Sequence, residues 1–367
     1  MIDKKKIKVV YIILNGDVYG GSEKHVVDLG NLVSDNKYDK YIIYSKGNKM
    51  IKHIDKKLMS NCIAVDRNLL NIKQITNIVK KINPDILHLH AARGIFIGRI
   101  VGFICQKIYK MKLKIMTTSH GLWLPKNKNN FIYKYLMHFM KKLDKATIAV
   151  SERSKKELLE IGYKSDQVYT IYNGVDFKKF DVYRKIKKKI YNISFVGRFT
   201  EQKGIRYLME AINDLKSNLH FHIYGEGELE NYINDYIKKN QLNNVKLMGY
   251  SDNVGEVFKD TDLLIAPSIN EGLPYTLVEA INCGVPIIST NVGGIPEIVE
   301  HGRNGLLIKP SSTTALVNAL EEVKKMDISS FSKESIVISK KFSVKSMVES
   351  VEMVYEKVMA LGGSSNE

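Results

Sequence analysis

The sequence predicts an α/β protein made of two doubly wound domains, and three observations support this fold class. Apolar runs typical of buried strands alternate with segments of helical periodicity. The alternation stops in a lysine-rich stretch near residue 180 and then starts again. A length of 367 residues and a hydrophobic content of 44% suit two domains with separate cores. Strands that alternate with helices in this way form parallel sheets covered by helices on both faces.

The first domain is predicted to span residues 1–172. Its apolar runs predict strands at 8–14, 41–44, 86–89, 114–118 and 147–150. Its segments of helical periodicity predict helices at 22–32, 72–81, 94–109, 131–143 and 151–161.

The second domain is predicted to span residues 173–342. Its strands are predicted at 191–196, 219–224, 245–248, 263–267 and 285–289. Its helices are predicted at 204–215, 229–240, 253–258, 276–283 and 296–299. A separate C-terminal segment, 343–362, carries the apolar stripe of one more helix. Ligands of such sheets bind at the carboxyl ends of the strands, so a cleft between two facing domains is the expected site.

The chain is strongly basic, with 56 Lys and Arg against 39 Asp and Glu and a net charge of +17. Such a field attracts nucleic acid, anionic lipid or phosphorylated substrates. Residues 105–145 hold ten lysines and a single acid, Asp144. Three widely spaced cysteines predict neither a disulfide framework nor a zinc site, which suits a reducing compartment. The most apolar stretch, 95–108, is interrupted by Arg99, so it predicts a buried helix and not a membrane span.

Two acids flank the start of a predicted helix in the second domain. Pro274 suits the first helical position, which places Glu271 in the preceding loop and Glu279 about one turn inside the helix. The backbone N–H groups of a helix start suit phosphates. Carboxylates on either side of a bound diphosphate could hold the hydroxyls of a nucleotide sugar.

Two cations follow the first strand of the second domain. Arg198 and Lys203 lie in the loop before a helix, where they could hold a diphosphate. The simpler interpretation of such a pair is two solvated surface cations, but together with Glu271 they favour a binding site. In the first domain, Gly20 and Gly21 precede a helix and would let a ligand approach the backbone, although an ordinary tight turn explains them equally well.

Three histidines end strands of the first domain. His88 and His90 are expected to point to opposite faces, which would make them a poor metal pair with a core or hydrogen-bonding role. His120 follows the strand 114–118, where a side chain that faces a ligand is expected.

The predicted helix 131–143 carries one aromatic and apolar stripe with lysines around it. This pattern suits a helix that lies on an anionic lipid surface. The alternative is that the stripe packs on the sheet and the lysines face water.

Taken together, the motifs resemble glycosyltransferase family 4, the retaining, group 1 type of glycosyltransferase with the GT-B fold. They occur in family order and span nearly the whole chain. The matching segments are Gly20-Gly21-Ser22-Glu23, Thr118-Ser119-His120-Gly121, Ala149-Val150-Ser151-Glu152, Tyr172-Asn173-Gly174-Val175-Asp176, Gly197-Arg198-Phe199-Thr200-Glu201-Gln202-Lys203-Gly204, Tyr224-Gly225-Glu226-Gly227, Glu271-Gly272-Leu273-Pro274 with Glu279, and Gly293-Gly294-Ile295-Pro296-Glu297.

The resemblance implies a role for each matching position. Arg198 and Lys203 would bind the donor diphosphate, and Glu279 would bind the ribose. The transferred sugar would be held by Glu271, by the backbone around Gly272, Leu273 and Pro274, and by His120. Gly20 and Gly21 would let their loop close on the phosphates, and the last helix would cross back onto the first domain. Leu273 stands where the family often has Phe, an apolar exchange of little expected effect.

The resemblance also implies a mechanism. The family's preferred account is front-face attack, in which the acceptor enters on the side of the leaving group. No residue is marked as the carboxylate nucleophile that a double displacement needs. Two cations on the leaving group make a metal cofactor unnecessary in this scheme.

The leading hypothesis is a retaining transferase that uses a nucleoside diphosphate sugar, with UDP as the expected nucleotide. The acceptor would be a glycan or a lipid-linked sugar of a bacterial capsule, exopolysaccharide or lipopolysaccharide. A cytoplasmic protein, in peripheral contact with anionic lipid at the inner membrane face, is expected. The alternatives are a nucleotide-sugar epimerase of the same architecture and a basic nucleic-acid-binding protein. No recognised reader module supports specific nucleic-acid binding.

Overall fold

The computed structural model describes residues 5–16, 19–66, 71–121, 140–180, 186–215 and 217–360. The chain forms two compact units. The first contains Met1–Tyr172 together with Val344–Glu367, and the second contains Asn173–Ser343. The chain therefore leaves the first unit, builds the second and returns.

The first unit is built on a seven-stranded parallel sheet with the order β3-β2-β1-β4-β5-β6-β7. The strands are β1 Ile7–Ile13, β2 Tyr38–Ser45, β3 Cys62–Val65, β4 Ile86–His90, β5 Lys114–Ser119, β6 Asp144–Ala149 and β7 Val168–Thr170. The helices described in this unit are α1 Gly21–Leu32, α2 Asn71–Ile82, α3 Ala92–Lys107, α4 Glu152–Glu160 and the C-terminal helix, Val344–Ala360.

The sheet of the first unit has an apolar layer on each face. Alternate residues of β1 contribute to opposite layers, as the period of two in a strand requires. One layer includes α1 and the C-terminal helix, through residues such as Val351 and Val354. The other includes α2 and α3. The C-terminal helix therefore completes the core of the first unit.

A buried ion pair lies inside the first unit. Arg99 of α3 is 1% exposed and donates through Nε to Asp144 Oδ1 at 3.0 Å and through Nη2 to Asp144 Oδ2. The same Nη2 donates to the Tyr163 hydroxyl at 2.9 Å. Burial raises the pKa of the Asp144 carboxyl, and the Arg99 guanidinium opposes that rise. Arg99, which interrupts the apolar segment 95–108, is thus neutralised by Asp144, the single acid of residues 105–145.

The second unit is built on a six-stranded parallel sheet with the order β10-β9-β8-β11-β12-β13. The strands are β8 Asn192–Val196, β9 His220–Tyr224, β10 Val245–Gly249, β11 Leu263–Ala266, β12 Ile287–Thr290 and β13 Gly305–Ile308. The helices are α5 Ile205–Leu215, α6 Glu230–Lys239, α7 Val254–Lys259, α8 Tyr275–Asn282, α9 Ile295–Ile298, α10 Thr313–Lys325 and α11 Ser329–Ser339. The C-terminal helix of the first unit follows as α12.

Most predicted elements are present, with ends shifted by a few residues. The short strands β3, β7 and β13 and the helices α10 and α11 were not predicted. At β13, Gly305 begins the strand, and a Cβ there would lie 2.0 Å from the Ile287 carbonyl oxygen. Residues 131–139 of the predicted helix 131–143 lie outside the described residues. None of the described helices is long and apolar enough to cross a membrane.

Candidate active site

The candidate site of the second unit lies at the carboxyl ends of β8 and β11. These neighbouring strands mark the point where the strand order reverses, which is where doubly wound sheets bind ligands. Lys203 follows β8, Glu271 follows β11, and Lys203 Nζ lies 2.5 Å from Glu271 Oε1. The Ser268 hydroxyl donates to the same carboxylate oxygen at 3.0 Å. The Lys203 and Glu271 side chains are 20% and 10% exposed, so both charges are largely shielded yet reachable.

Backbone contacts fix the loop of Lys203 on the loop of Glu271. Gly204 has φ 67°, and a Cβ there would lie 2.0 Å from the Pro267 carbonyl oxygen, so only glycine fits. The Ile269 N–H donates to the Gln202 carbonyl at 2.8 Å, and the Gln202 side-chain amide donates to the Asn270 carbonyl at 2.9 Å. Lys203 and Glu271 are therefore held together by the chain on both sides of them.

Two more segments hold the loop of Glu271. The Gly294 N–H donates to the Gly272 carbonyl at 2.6 Å, and a Cβ at Gly293 would lie 1.7 Å from the Glu271 carbonyl oxygen. The Asn173 side-chain amide donates to the buried Leu273 carbonyl at 2.7 Å. These segments matched the family's motifs but had no predicted role at the site, and no signal in a single sequence links Asn173 to a residue 100 positions away.

The prediction that Pro274 is the first residue of the helix after Glu271 is wrong. Pro274 has ψ 121°, which is extended, so it is the N-cap residue and Tyr275 is the first residue of α8. Glu279 is the fifth residue of α8 and is 6% exposed. Arg198, at the exit of β8, is exposed. Lys203 and Glu271 are therefore in direct contact. All the site residues predicted for the second domain lie in the second unit, namely Arg198, Lys203, Glu271, Gly272, Leu273, Pro274 and Glu279.

In the first unit, Gly20 is the N-cap residue of α1 and Gly21 is its first residue. The Glu23 carboxylate accepts the Gly20 N–H at 3.1 Å and the Asn15 side-chain amide at 2.7 Å. Glu23 is 3% exposed. This acid of the Gly-Gly-Ser-Glu motif therefore holds the glycine turn in place.

His120 belongs to a cluster of four histidine rings at the carboxyl edge of the first sheet. Its ring centroid lies 5.0 Å from that of His25 and 5.8 Å from that of His90. The rings of His88 and His90 are 4.2 Å apart, so the prediction that they point to opposite faces is wrong. Side chains two positions apart in a strand share a face, because the period of a strand is two.

Hydrogen bonds separate the roles of these histidines. His88 Nδ1 lies 2.7 Å from the Tyr355 hydroxyl of α12, and its Nε2 lies 2.8 Å from the Thr118 hydroxyl. Both ring nitrogens of His90, and Nε2 of His120, are enclosed and make no hydrogen bond to a described residue. Burial holds the pKa of His88, His90 and His120 well below the ordinary value, with a smaller contribution from neighbouring rings. A neutral imidazole has one donor and one acceptor nitrogen, so it can donate a hydrogen bond to a sugar hydroxyl or accept one from it.

Within the part of the chain that the structure describes, no group of three or more His, Cys, Asp or Glu side chains is arranged to hold a metal ion.

Each half of the chain matches a family of glycosyltransferases. Residues 19–179 match the family described as Glycosyltransferase Family 4, and residues 176–336 match the one described as Glycosyl transferases group 1. An uncharacterized glycosyltransferase of Methanocaldococcus jannaschii is 30% identical over 305 residues, which cover 79% of this chain and 80% of the relative.

Two bacterial relatives carry more specific names. The UDP-Gal:alpha-D-GlcNAc-diphosphoundecaprenol alpha-1,3-galactosyltransferase of Escherichia coli is 26% identical over 350 residues, covering 87% of this chain and 88% of the relative. The capsular polysaccharide biosynthesis glycosyltransferase CapM of Staphylococcus aureus is 26% identical over 313 residues, covering 78% and 80%.

Among solved structures, Anabaena HepE in complex with UDP-glucose superposes with a TM-score of 0.83 at 17% identity, covering 96% of this chain and 100% of that one. This likeness confirms the predicted fold class, the GT-B architecture of two Rossmann-like domains.

Proposed function

The chain belongs to the group 1 glycosyltransferases of family 4, and on that premise we propose that it is a retaining transferase with a UDP-sugar donor. The observation that carries the proposal is the Lys203–Glu271 contact at the point where the strand order of the second sheet reverses. The acceptor is a glycan or a lipid-linked sugar of bacterial cell-surface polysaccharide synthesis.

The chemistry of this contact fits a sugar diphosphate. Lys203 donates one N–H to Glu271 and has two more for phosphate oxygens, and the Glu271 carboxylate accepts hydrogen bonds from sugar hydroxyls. Because Ser268 and Lys203 hold the Glu271 carboxylate and the Gln202 amide joins the two loops, the pair needs little reorganisation when a donor binds. Arg198, in the same loop as Lys203, is exposed and supplies the second cation. Glu279 binds the ribose, and His120 touches the transferred sugar.

The proposed reaction is a front-face substitution. The bond between the anomeric carbon and the phosphate oxygen breaks, and the acceptor oxygen forms the new bond on the same face of the sugar. The acceptor proton passes to the departing phosphate oxygen, which leaves as UDP. Lys203 and Arg198 stabilise the negative charge that grows on this oxygen, so no metal ion is needed.

The relatives support the choice of substrates. The name of the Escherichia coli relative gives UDP-Gal as donor and a diphosphoundecaprenol-linked sugar as acceptor. The Anabaena structure holds UDP-glucose, and the Staphylococcus aureus relative is named for capsular polysaccharide biosynthesis. A lipid-linked acceptor would bring the enzyme to the inner face of the cytoplasmic membrane.

The test is a panel of nucleoside diphosphate sugars, assayed for release of nucleoside diphosphate with and without a chelator. Lys203→Ala and Glu271→Gln are compared with Lys259→Ala and Glu256→Gln. The last two residues form an ion pair on the exposed surface of the same unit. Loss of a cation from the leaving group is expected to lower kcat/KM by roughly 10²–10³-fold, by analogy with an oxyanion-hole donor. The control variants keep wild-type turnover.

Several outcomes would contradict the proposal. An inverted anomeric configuration of the product, measured by NMR, would exclude retention. Loss of activity in chelator that returns with a divalent ion would exclude the metal-independent scheme. An interconverted nucleotide sugar formed without an acceptor would indicate an epimerase.

A further inference from the structure

The histidine cluster of the first unit contains a buried imidazole that the proposed reaction does not use. His90 ends β4 and is 0% exposed. Neither of its ring nitrogens makes a hydrogen bond within the part of the chain that the structure describes. A buried polar atom without a partner costs about 1–3 kcal/mol, so such atoms are rare in native proteins and indicate a functional role or a bound molecule. Because His90 lies at the carboxyl edge of the sheet, where ligands bind, a role in the reaction is the first to consider.

His120 lies beside His90, and its two ring nitrogens have different surroundings. It follows β5, the strand that pairs with β4. The side chain is partly exposed, yet its Nε2 is enclosed and has no hydrogen-bond partner among the described residues. Nε2 therefore faces the protein interior, which leaves Nδ1 to meet a ligand.

The separation of the two rings is close to that of a hydrogen-bonded pair. The ring centroids of His90 and His120 are 5.8 Å apart. A linear N–H···N bond between two imidazoles places their centroids about 5 Å apart, given an N···N distance of about 2.9 Å and the size of the rings. A shift of less than about 1 Å therefore lets an N–H of His90 reach Nε2 of His120.

Two other rings hold His90 in this place. The ring of His88 lies 4.2 Å from that of His90, and the ring of His25 on α1 lies 5.5 Å from it. His88 has no nitrogen left for His90, because hydroxyl groups of other residues occupy both of them. The ring of His25 meets the ring of His120 at 80°, with an edge toward a face. The arrangement therefore leaves His90 as the better partner for Nε2 of His120.

Both rings are neutral at ordinary pH, because burial holds the pKa of His90 and His120 well below the ordinary value. A neutral imidazole carries its proton on one nitrogen, and the hydrogen bond made by the other nitrogen decides which one. If Nε2 of His120 accepts an N–H, its Nδ1 carries the proton. A sugar hydroxyl has two lone pairs and one proton, so a donor at Nδ1 binds it and leaves its proton for another partner.

We propose that His90 is a positioning residue that selects the tautomer of His120. His90 donates to Nε2 of His120, which puts the proton of His120 on Nδ1 and presents a hydrogen-bond donor to a hydroxyl oxygen of the transferred sugar. The contact with the sugar rests on the proposed function, whereas the tautomer is a property of the first unit alone. The two parts can therefore be tested separately.

The first experiment is a long-range ¹H–¹⁵N NMR correlation at neutral pH, recorded on the full chain labelled with ¹⁵N-histidine. The ring signals of His120 are assigned by their loss in His120→Gln. In the wild type, Nδ1 of His120 is expected to carry the proton. In His90→Phe, which nearly keeps the ring shape but removes both nitrogens, the two tautomers of His120 should become mixed. A proton on Nε2 in the wild type, or an unchanged pattern in His90→Phe, would overturn the proposal.

Two further variants separate a direct effect from general loosening of the cluster. His90→Gln keeps a side-chain N–H donor and should keep the wild-type tautomer of His120. His25→Phe changes the other neighbouring ring and should leave that tautomer unchanged. If His25→Phe switches the tautomer instead, His25 is the partner and the proposal is wrong. Thermal unfolding verifies the fold of each variant, and the wild-type tautomer tests the proposal even where a variant does not fold.

The second experiment measures nucleoside diphosphate release from the donor panel. His90→Phe should lower kcat/KM about tenfold, in the range of one neutral hydrogen bond, and His90→Gln should restore most of it. This loss should disappear in a protein that already carries His120→Ala. An equal loss in both backgrounds would show that His90 acts on the fold and not through His120, which would contradict the proposal. A wild type without turnover would contradict the proposed function, and the NMR result would then decide the role of His90 alone.

Discussion

Replacing Gly293 with alanine tests whether the segment 293–294 positions Glu271. The new methyl carbon would lie 1.7 Å from the Glu271 carbonyl oxygen, whereas non-bonded heavy atoms are ordinarily about 3.5 Å apart or more. The loop of Glu271 must therefore move by roughly 2 Å to restore contact distance. That shift breaks the 2.6 Å bond from Gly294 N–H to the Gly272 carbonyl.

The magnitude follows from two contributions. A left-handed conformation costs a residue other than glycine about 1–2 kcal/mol, and Gly293 has φ 52°. Loss of the buried hydrogen bond adds about 1 kcal/mol. Gly293→Ala is therefore expected to lower the free energy of unfolding by about 2–3 kcal/mol. Because a 1 Å misplacement of a positioning group costs about 10²-fold in rate, kcat/KM should fall by at least that factor.

Gly302→Ala is the matched control. Gly302 has φ 75°, and nothing lies within 4 Å of a Cβ placed there, so this variant carries the conformational strain without the clash. Urea unfolding gives the stability of both variants, and donor turnover gives their activity. If Gly293→Ala resembled Gly302→Ala in both measurements, the claim that this segment holds Glu271 would be refuted.

Two further predictions concern the first unit. Arg99→Met should lower its free energy of unfolding by about 3–5 kcal/mol, because the buried Asp144 loses its partner. Adding Asp144→Asn should recover much of this in a double-mutant cycle in urea, and strictly additive losses would contradict a coupled pair. Stability should also fall as pH drops below about 6.5, since the unfolded chain binds protons that buried His88, His90 and His120 do not. The limiting slope is about 4 kcal/mol per pH unit for the three residues. His88→Gln should reduce this slope, and a slope equal to that of the wild type would reject the assignment.

The sequence was sufficient for the fold class because strongly apolar central strands and periodic helices dominate each domain. It was insufficient for the edge strands β3, β7 and β13, which have only three or four residues each. Short strands at a sheet edge carry too little periodicity to stand out from loops.

In the candidate site, the residues could be predicted from their own motifs, but the contacts between them could not. Glu271 and Lys203 were identified from their own motifs, yet their 2.5 Å contact depends on the pairing of two strands about 70 residues apart. The amide of Asn173 and the clash at Gly293 act through the backbone of other loops. Contacts of this kind are set by tertiary packing, which a single sequence does not encode as a pattern.

The return of the chain to the first unit has a consequence for synthesis on the ribosome. All residues of the second unit have been made before α12 exists, so the second unit can fold while the first still lacks one covering helix. Until α12 arrives, the apolar layer that meets Val351 and Val354 is open to water, and His88 lacks the Tyr355 hydroxyl. Nascent chains that stop before residue 344 would therefore hold a finished second unit beside an unfinished first one, a state in which a chaperone has one exposed surface to protect.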